Sequence, residues 1–200
     1  MSGGEISVVR SPVVLGCFVL LLAGLGSAGG QANPALNAVP ADALKVFKVI
    51  DMIETAGPPP GGVLRRVSIA ERELNAYLDF RRRAEHWEMV TDVRLKLKDD
   101  QKVEGMFLLD LSGTKFASWL PRTATFYFGA RLETAQGKAR LRLDKLFLDQ
   151  QAIQPAVVDL ILMFASRRNS DVPSSLGEWV ELPLGIRELR TSKETLTALY

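Results

Sequence analysis

"TATFYFGARLETAQGKARLRLDKLFL", Thr123 to Leu148, decides the fold class. Ala124, Phe126, Phe128, Ala130 and Leu132 recur at every second position, and Ala139, Leu141 and Leu143 resume the alternation beyond a turn at Ala135–Lys138. Successive side chains of a strand point to opposite faces, so this period places both sets on one face of an antiparallel hairpin. The alternation slips near Asp144–Lys145. One extra residue in a strand has that effect: it makes a bulge and bends the strand.

The segments before the hairpin share its period. In "VTDVRLKLKDD" Val93, Leu95 and Leu97 alternate with Arg94, Lys96 and Lys98, and "DDQK" supplies a turn. "VEGMFLLDLSG" returns with Val103, Gly105, Phe107, Leu109 and Leu111 on one face, while Met106 and Leu108 add apolar surface to the other. "TKFASWLPR" connects this strand to the hairpin. Upstream, "VLRRVSIAERELNAYLDFRRRAE" reads as a short strand and then a helix from Ile69 to Ala84, with Ser68 and Glu71 spaced as a capping box. Leu74, Tyr77, Leu78 and Arg81 fall on one helical face, and Asn75 lies off it.

After the hairpin comes "QPAVVDLILMFASRR" (Gln154–Arg168), in which Asp159 is the only polar side chain from Ala156 to Ala165, so a helix here would be apolar on every side. A helix of this kind is buried or touches lipid, and it is too short to span a bilayer, which takes about 20 apolar residues. "NSDVPSSLGEW" is a loop, and "LPLGIRELRTSKETLTALY" predicts a final strand pair turning at Ser192–Lys193. The expected fold is α+β: a strongly curved antiparallel sheet wrapped around a helix, with an extra N-terminal helix.

At 47% hydrophobic and 24% charged, the 200 residues have an ordinary globular composition. A net charge of +2, without a basic stripe interleaved with aromatics, points away from nucleic acid. "PVVLGCFVLLLAGLGSA" is uncharged, and small-x-small sites follow at Gly26–Ala28 and Gly30–Ala32, so residues 1–28 read as a signal peptide or membrane anchor. "VLGC" resembles a lipoprotein box, but most of the apolar run follows Cys17 rather than preceding it. Cys17 is the only cysteine, so an exported domain has no disulfide, which suits a bacterial envelope. Residues 29–62 read as a tether, a helix and a Pro/Gly linker, and residues 63–200 as the α+β domain. In the helix "ADALKVFKVIDMIETAG", Leu44, Phe47, Val49, Ile50 and Ile53 form an apolar face, suited to an appendage or to a stalk.

Little points to catalysis. His86 is the only histidine, and neither a triad spacing nor a metal-ligand motif accompanies it. Glu71/Glu73 and Asp99/Asp100 are explained locally, by a helix first turn and a hairpin tip. No cofactor is expected, and the protein reads as a non-enzyme.

The apolar faces outnumber what a flat sheet and one helix layer would cover, and large uncovered patches mark binding. A curved sheet forms a trough whose inner wall carries Phe107, Leu109, Phe126, Phe128, Leu141 and Leu143. Leu74, Tyr77 and Leu78, with Val157, Ile161 and Phe164 of the late helix, complete the expected lining. Arg81, Arg82 and Arg83 would meet anionic head groups at its mouth, or else offset the helix dipole.

Ser68, Glu71, Glu73, Leu74, Asn75, Tyr77 and Leu78 of "VSIAERELNAYL", followed by long strands, a late apolar helix and "LPLGI", resemble small bacterial envelope proteins of the tubular lipid-binding superfamily. That superfamily includes the bactericidal/permeability-increasing protein. The resemblance covers Val63 to Tyr200; the first helix and the Pro-rich linker lie outside it. It implies a curved sheet around a helix, a hydrophobic groove, and binding or transfer of lipid without chemistry. The expected function is therefore binding of a lipid or hydrophobic small molecule by an exported protein, periplasmic or anchored to the inner membrane, with a membrane surface as a further partner. The alternative is a structural or adaptor protein of the envelope, solidly packed, whose protein partner the residues do not name.

Overall fold

The computed structural model describes residues 39–56, 63–84, 90–110, 112, 122–154, 177–182 and 185–200. In chain order its elements are α1 (Ala41–Ala56), β1 (Arg66–Ala70), α2 (Glu71–Ala84), β2 (Val90–Leu97), β3 (Lys102–Asp110), β4 (Thr123–Ala135), β5 (Lys138–Leu148), β6 (Gln151–Ala152), β7 (Val180–Glu181), β8 (Glu188–Ser192) and β9 (Thr195–Leu199). Strands β2-β3-β4-β5-β6 form an antiparallel sheet that curls into a half-barrel, with β7 also paired to β5. A second sheet has the order β1-β9-β8. The fold is α+β with a strongly curved antiparallel sheet, as expected.

The β4–β5 hairpin is the spine of the larger sheet. Its turn residues Gln136 and Gly137 have φ of 51° and 73°, the two left-handed positions that match the twist of flanking strands. Gly129 faces Lys145 and Ala130 faces Leu143, so Asp144 is the extra residue of a bulge, where the alternation slips. The bulge keeps Leu141 and Leu143 on the same face as Leu146 and Leu148 despite their odd spacing. It also adds twist and bends β5, which favours curl over a flat sheet.

Gly105 of β3 lies opposite Phe128 of β4. A Cβ on Gly105 would overlap Cε1 and Cζ of the Phe128 ring and come within 3.1 Å of Leu95 Cδ2. The ring of Phe128 therefore lies across β3 in the notch left by the missing side chain. It stacks on Phe107, with centroids 5.7 Å apart and planes 18° apart.

The edge strand β2 carries backbone groups that must be satisfied where it meets no further strand. Helix α2 supplies partners. Asn75 Oδ1 accepts from Leu95 N at 2.7 Å and its Nδ2 donates to Leu95 O at 2.8 Å. Glu71 Oε2 accepts from Leu97 N at 2.6 Å. Four residues of helix rise about 6.0 Å and two residues of strand about 6.6 Å, so the two side chains reach alternate strand residues without strain.

The start of α2 differs from the expectation. Ser68 belongs to β1 and its hydroxyl lies 3.2 Å from Thr197 Oγ1. The helix begins at Glu71, and the residue reaching back is Glu73, whose Oε2 accepts from Ala70 N at 2.9 Å. The S-x-x-E spacing was satisfied two residues too early because Ser68 and Ile69 are held in β1 by β9. α1 is an appendage packed on α2: Phe47 meets Tyr77 and Phe80 edge-on at 5.0 and 5.6 Å, and Lys45 Nζ reaches Glu73 at 2.8 Å. Its buried side is Ala43, Val46 and Ile53, a stripe turned slightly from the one expected, with Leu44 only half-buried.

The β1-β9-β8 sheet closes one end of the half-barrel. Thr191 N donates to Gln101 Oε1 at 2.6 Å, Thr134 Oγ1 to Leu189 O at 3.1 Å, and Glu194 N to Leu97 O at 3.2 Å. The β8–β9 turn is Lys193–Glu194, one residue later than expected, with Glu194 at φ 57°.

Two substitutions probe this frame by urea denaturation. Asn75→Ala strands both backbone groups of Leu95 and should cost about 1–3 kcal/mol. Gly105→Val should cost about 1–3 kcal/mol through overpacking against Phe128, and Phe128→Leu in the same chain should recover part of that loss.

Candidate ligand-binding trough

The concave face of the half-barrel is apolar from strand to strand, but its two halves differ. On the β2–β3 side Val93, Leu95, Leu97, Val103, Phe107 and Leu109 are buried, and Phe128 is buried over Gly105. Leu74, Tyr77 and Leu78 of α2 join this packed half, Leu78 being only 1% exposed. On the β4–β5 side Leu141 and Leu146 are buried. Phe126, Leu143, Leu148 and Ile153 stay half-buried at the edge of the same core. Phe126 pairs directly with Leu148, and Ile153 N donates to Leu146 O at 2.9 Å, so these residues form one patch.

The expected strand residues Phe107, Leu109, Phe126, Phe128, Leu141 and Leu143 share one face, and the described lining divides by burial. Leu74, Tyr77, Leu78, Phe107, Leu109, Phe128 and Leu141 are core, whereas Phe126 and Leu143 remain partly accessible. Leu148 and Ile153 belong to the accessible patch and were missed. Leu148 could have been found by carrying the alternation past the bulge. Val157, Ile161 and Phe164 lie outside the described residues, as do His86 and the late apolar helix.

The arginine cluster is tied to its own helix. Arg81 Nη1 donates to Tyr77 Oη at 2.8 Å. Arg82 Nη2 donates to Asp79 Oδ1 at 2.7 Å, and Arg83 bonds both carboxylate oxygens of Asp79. Burial pushes the Asp79 pKa up, but the hydrogen bonds from Arg82 and Arg83 outweigh it and hold the group below the usual carboxylate range. Bonds from Lys45 and the Ala70 amide lower Glu73 in the same way.

The convex face carries a cross-strand row of Met106, Tyr127 and Phe147, with Tyr127 exposed. A polar cleft of about 280 Å³ opens on the smaller sheet, lined by Arg66, Asp100, Gln101, Arg190, Thr191, Ser192, Thr197 and Leu199. Arg190 is held there by Glu188 at 2.6 and 3.0 Å, and that contact lowers the Glu188 pKa. Sequence reading missed this cleft because it exists only once β1 and β9 are neighbours. Among the described residues no group of three His, Cys, Asp or Glu side chains could hold a metal ion.

Chemically, a wall of Phe, Leu and Ala side chains offers no proton donor and no nucleophile. Such a wall can gain free energy by having its apolar surface removed from water. No protein-family model, curated protein or solved structure matches the chain.

A carboxylate whose folded pKa is depressed adds stability above its unfolded value, about 4 for Asp. That stability is lost as pH falls through the folded value. Asp79→Asn should therefore be less stable than the parent at neutral pH, and should lose less stability between neutral pH and strong acid. Urea midpoints across that range check the sign.

Proposed function

We propose that the protein binds a lipid or another hydrophobic ligand on the concave face of the half-barrel, as an exported component of a bacterial envelope, without catalysis. The observation that carries this is the half-buried patch of Phe126, Leu143, Leu148 and Ile153 beside a fully packed core. Partly wetted apolar surface of this kind gains by being covered. Each CH₂ removed from water contributes about 0.8 kcal/mol, so an acyl chain of a dozen methylenes gains roughly 10 kcal/mol before the losses of ordering it. The resemblance of "VSIAERELNAYL" to the tubular lipid-binding superfamily points the same way, and the apolar run Pro12–Ala28 suits export.

One observation favours a second function, a solidly packed envelope adaptor. Phe128 fills the notch at Gly105 with the protein's own ring, so half of the trough has no room for a ligand.

Mass spectrometry of organic extracts separates the two. The full chain, expressed in a bacterial envelope and purified, should carry stoichiometric lipid. Phe126→Asp should lose that lipid while the protein stays folded, because the ring it replaces is only half-buried. A clean extract from folded parent protein would leave the adaptor.

A further inference from the structure

The arginines expected to meet a membrane, Arg81–Arg83, are engaged by Tyr77 and Asp79. A different group is not. Arg65, Arg66 and Arg187 are exposed and have no carboxylate partner among the described residues, while the neighbouring acid Glu188 is held by Arg190. The topology gathers them at one end of the β1-β9-β8 sheet. Arg65 N donates to Tyr200 O at 2.8 Å and Tyr200 N to Arg65 O at 3.0 Å, Arg66 pairs with Leu199, and Arg187 N donates to Leu199 O at 2.8 Å.

The same corner carries exposed aliphatic side chains. Val63 is 72% and Leu64 41% exposed, directly before Arg65 in the chain. Aliphatic side chains that stay in water beside uncompensated cations are the pattern of a surface that enters the head-group boundary of an anionic bilayer. Arg66 also lines the polar cleft of about 280 Å³ with Asp100, Arg190 and Ser192, and the exposed Ser192 hydroxyl can donate to a phosphate oxygen.

We propose that this corner docks on an anionic phospholipid surface. Arg65, Arg66 and Arg187 sit at the level of the phosphates, and Val63 and Leu64 enter the boundary with the acyl chains. The contact is independent of whether the trough holds a ligand. Each basic side chain near such a surface is worth about a fivefold change in partitioning, so reversing three charges lowers binding by well over 100-fold.

The test uses the full chain with Cys17→Ser and Leu64→Cys, labelled at residue 64 with a polarity-sensitive dye. On phosphatidylglycerol-containing vesicles the emission should shift to the blue, and raised salt should reverse it. On phosphatidylcholine alone no shift should appear, and a label at Tyr127→Cys on the convex face should stay in water on both. Arg65→Glu, Arg66→Glu and Arg187→Glu together should abolish the shift, while Arg83→Glu should retain it. Should the triple variant misfold, the salt dependence of the labelled parent decides. Insertion driven by the Pro12–Ala28 segment alone would leave residue 64 in water. A water-like probe at residue 64, an equal shift on both vesicle types, or a shift insensitive to salt overturns the proposal.

Discussion

A half-barrel has two open edges, and this one depends on how the β2 edge is closed. Glu71 and Asn75 of α2 do for β2 what another strand would do, accepting from Leu97 N and exchanging two hydrogen bonds with Leu95. The fit follows from the near equality of the rise of four helical residues and of two strand residues. Because α2 is held there, Leu74, Tyr77 and Leu78 are delivered to the core, and Phe47 of α1 has a surface to pack on. Glu194 completes the junction: its carbonyl accepts from Glu71 N and its amide donates to Leu97 O. One short region thus joins helix, edge strand and closing hairpin.

Curvature and filling have local causes. The extra residue Asp144 bends β5, and the absent side chain of Gly105 lets Phe128 lie across β3. The first device makes a trough and the second fills half of it. What remains partly accessible is the β4–β5 side, where Phe126 and Leu148 pair beside Ile153. A trough half packed by its own rings has a rigid floor against which the accessible half can be covered with little reorganisation.

Charge is distributed by the same logic. Asp79 gathers Arg82 and Arg83, and Glu133 accepts from Arg140 at 2.7 Å and faces Arg142 at 3.4 Å. These basic groups are held by carboxylates of their own helix or of the neighbouring strand. Among the described residues, the arginines at the end of the β1-β9-β8 sheet are positioned by backbone pairing, and their side chains are exposed.

The sequence by itself determined the long elements whose cause is local. The β4–β5 hairpin, the Asp144 bulge, the alternation of β2 and β3 and the apolar stripe of α2 could be read because period and turn chemistry involve residues within a few positions of one another. Only the tertiary structure decided the rest. The pairing of β1 with β9 joins Arg66 to Leu199 across most of the chain, and no local pattern records a partner so distant. That pairing moved the start of α2 to Glu71 and created the cleft around Arg66. Asn75, off the apolar stripe and unremarkable in sequence, became the seal of the sheet because four residues of helix advance about as far as two residues of strand. Which trough residues are core and which remain accessible was likewise a matter of packing: alternation assigns a side chain to a face, and only its neighbours determine how deeply it is buried.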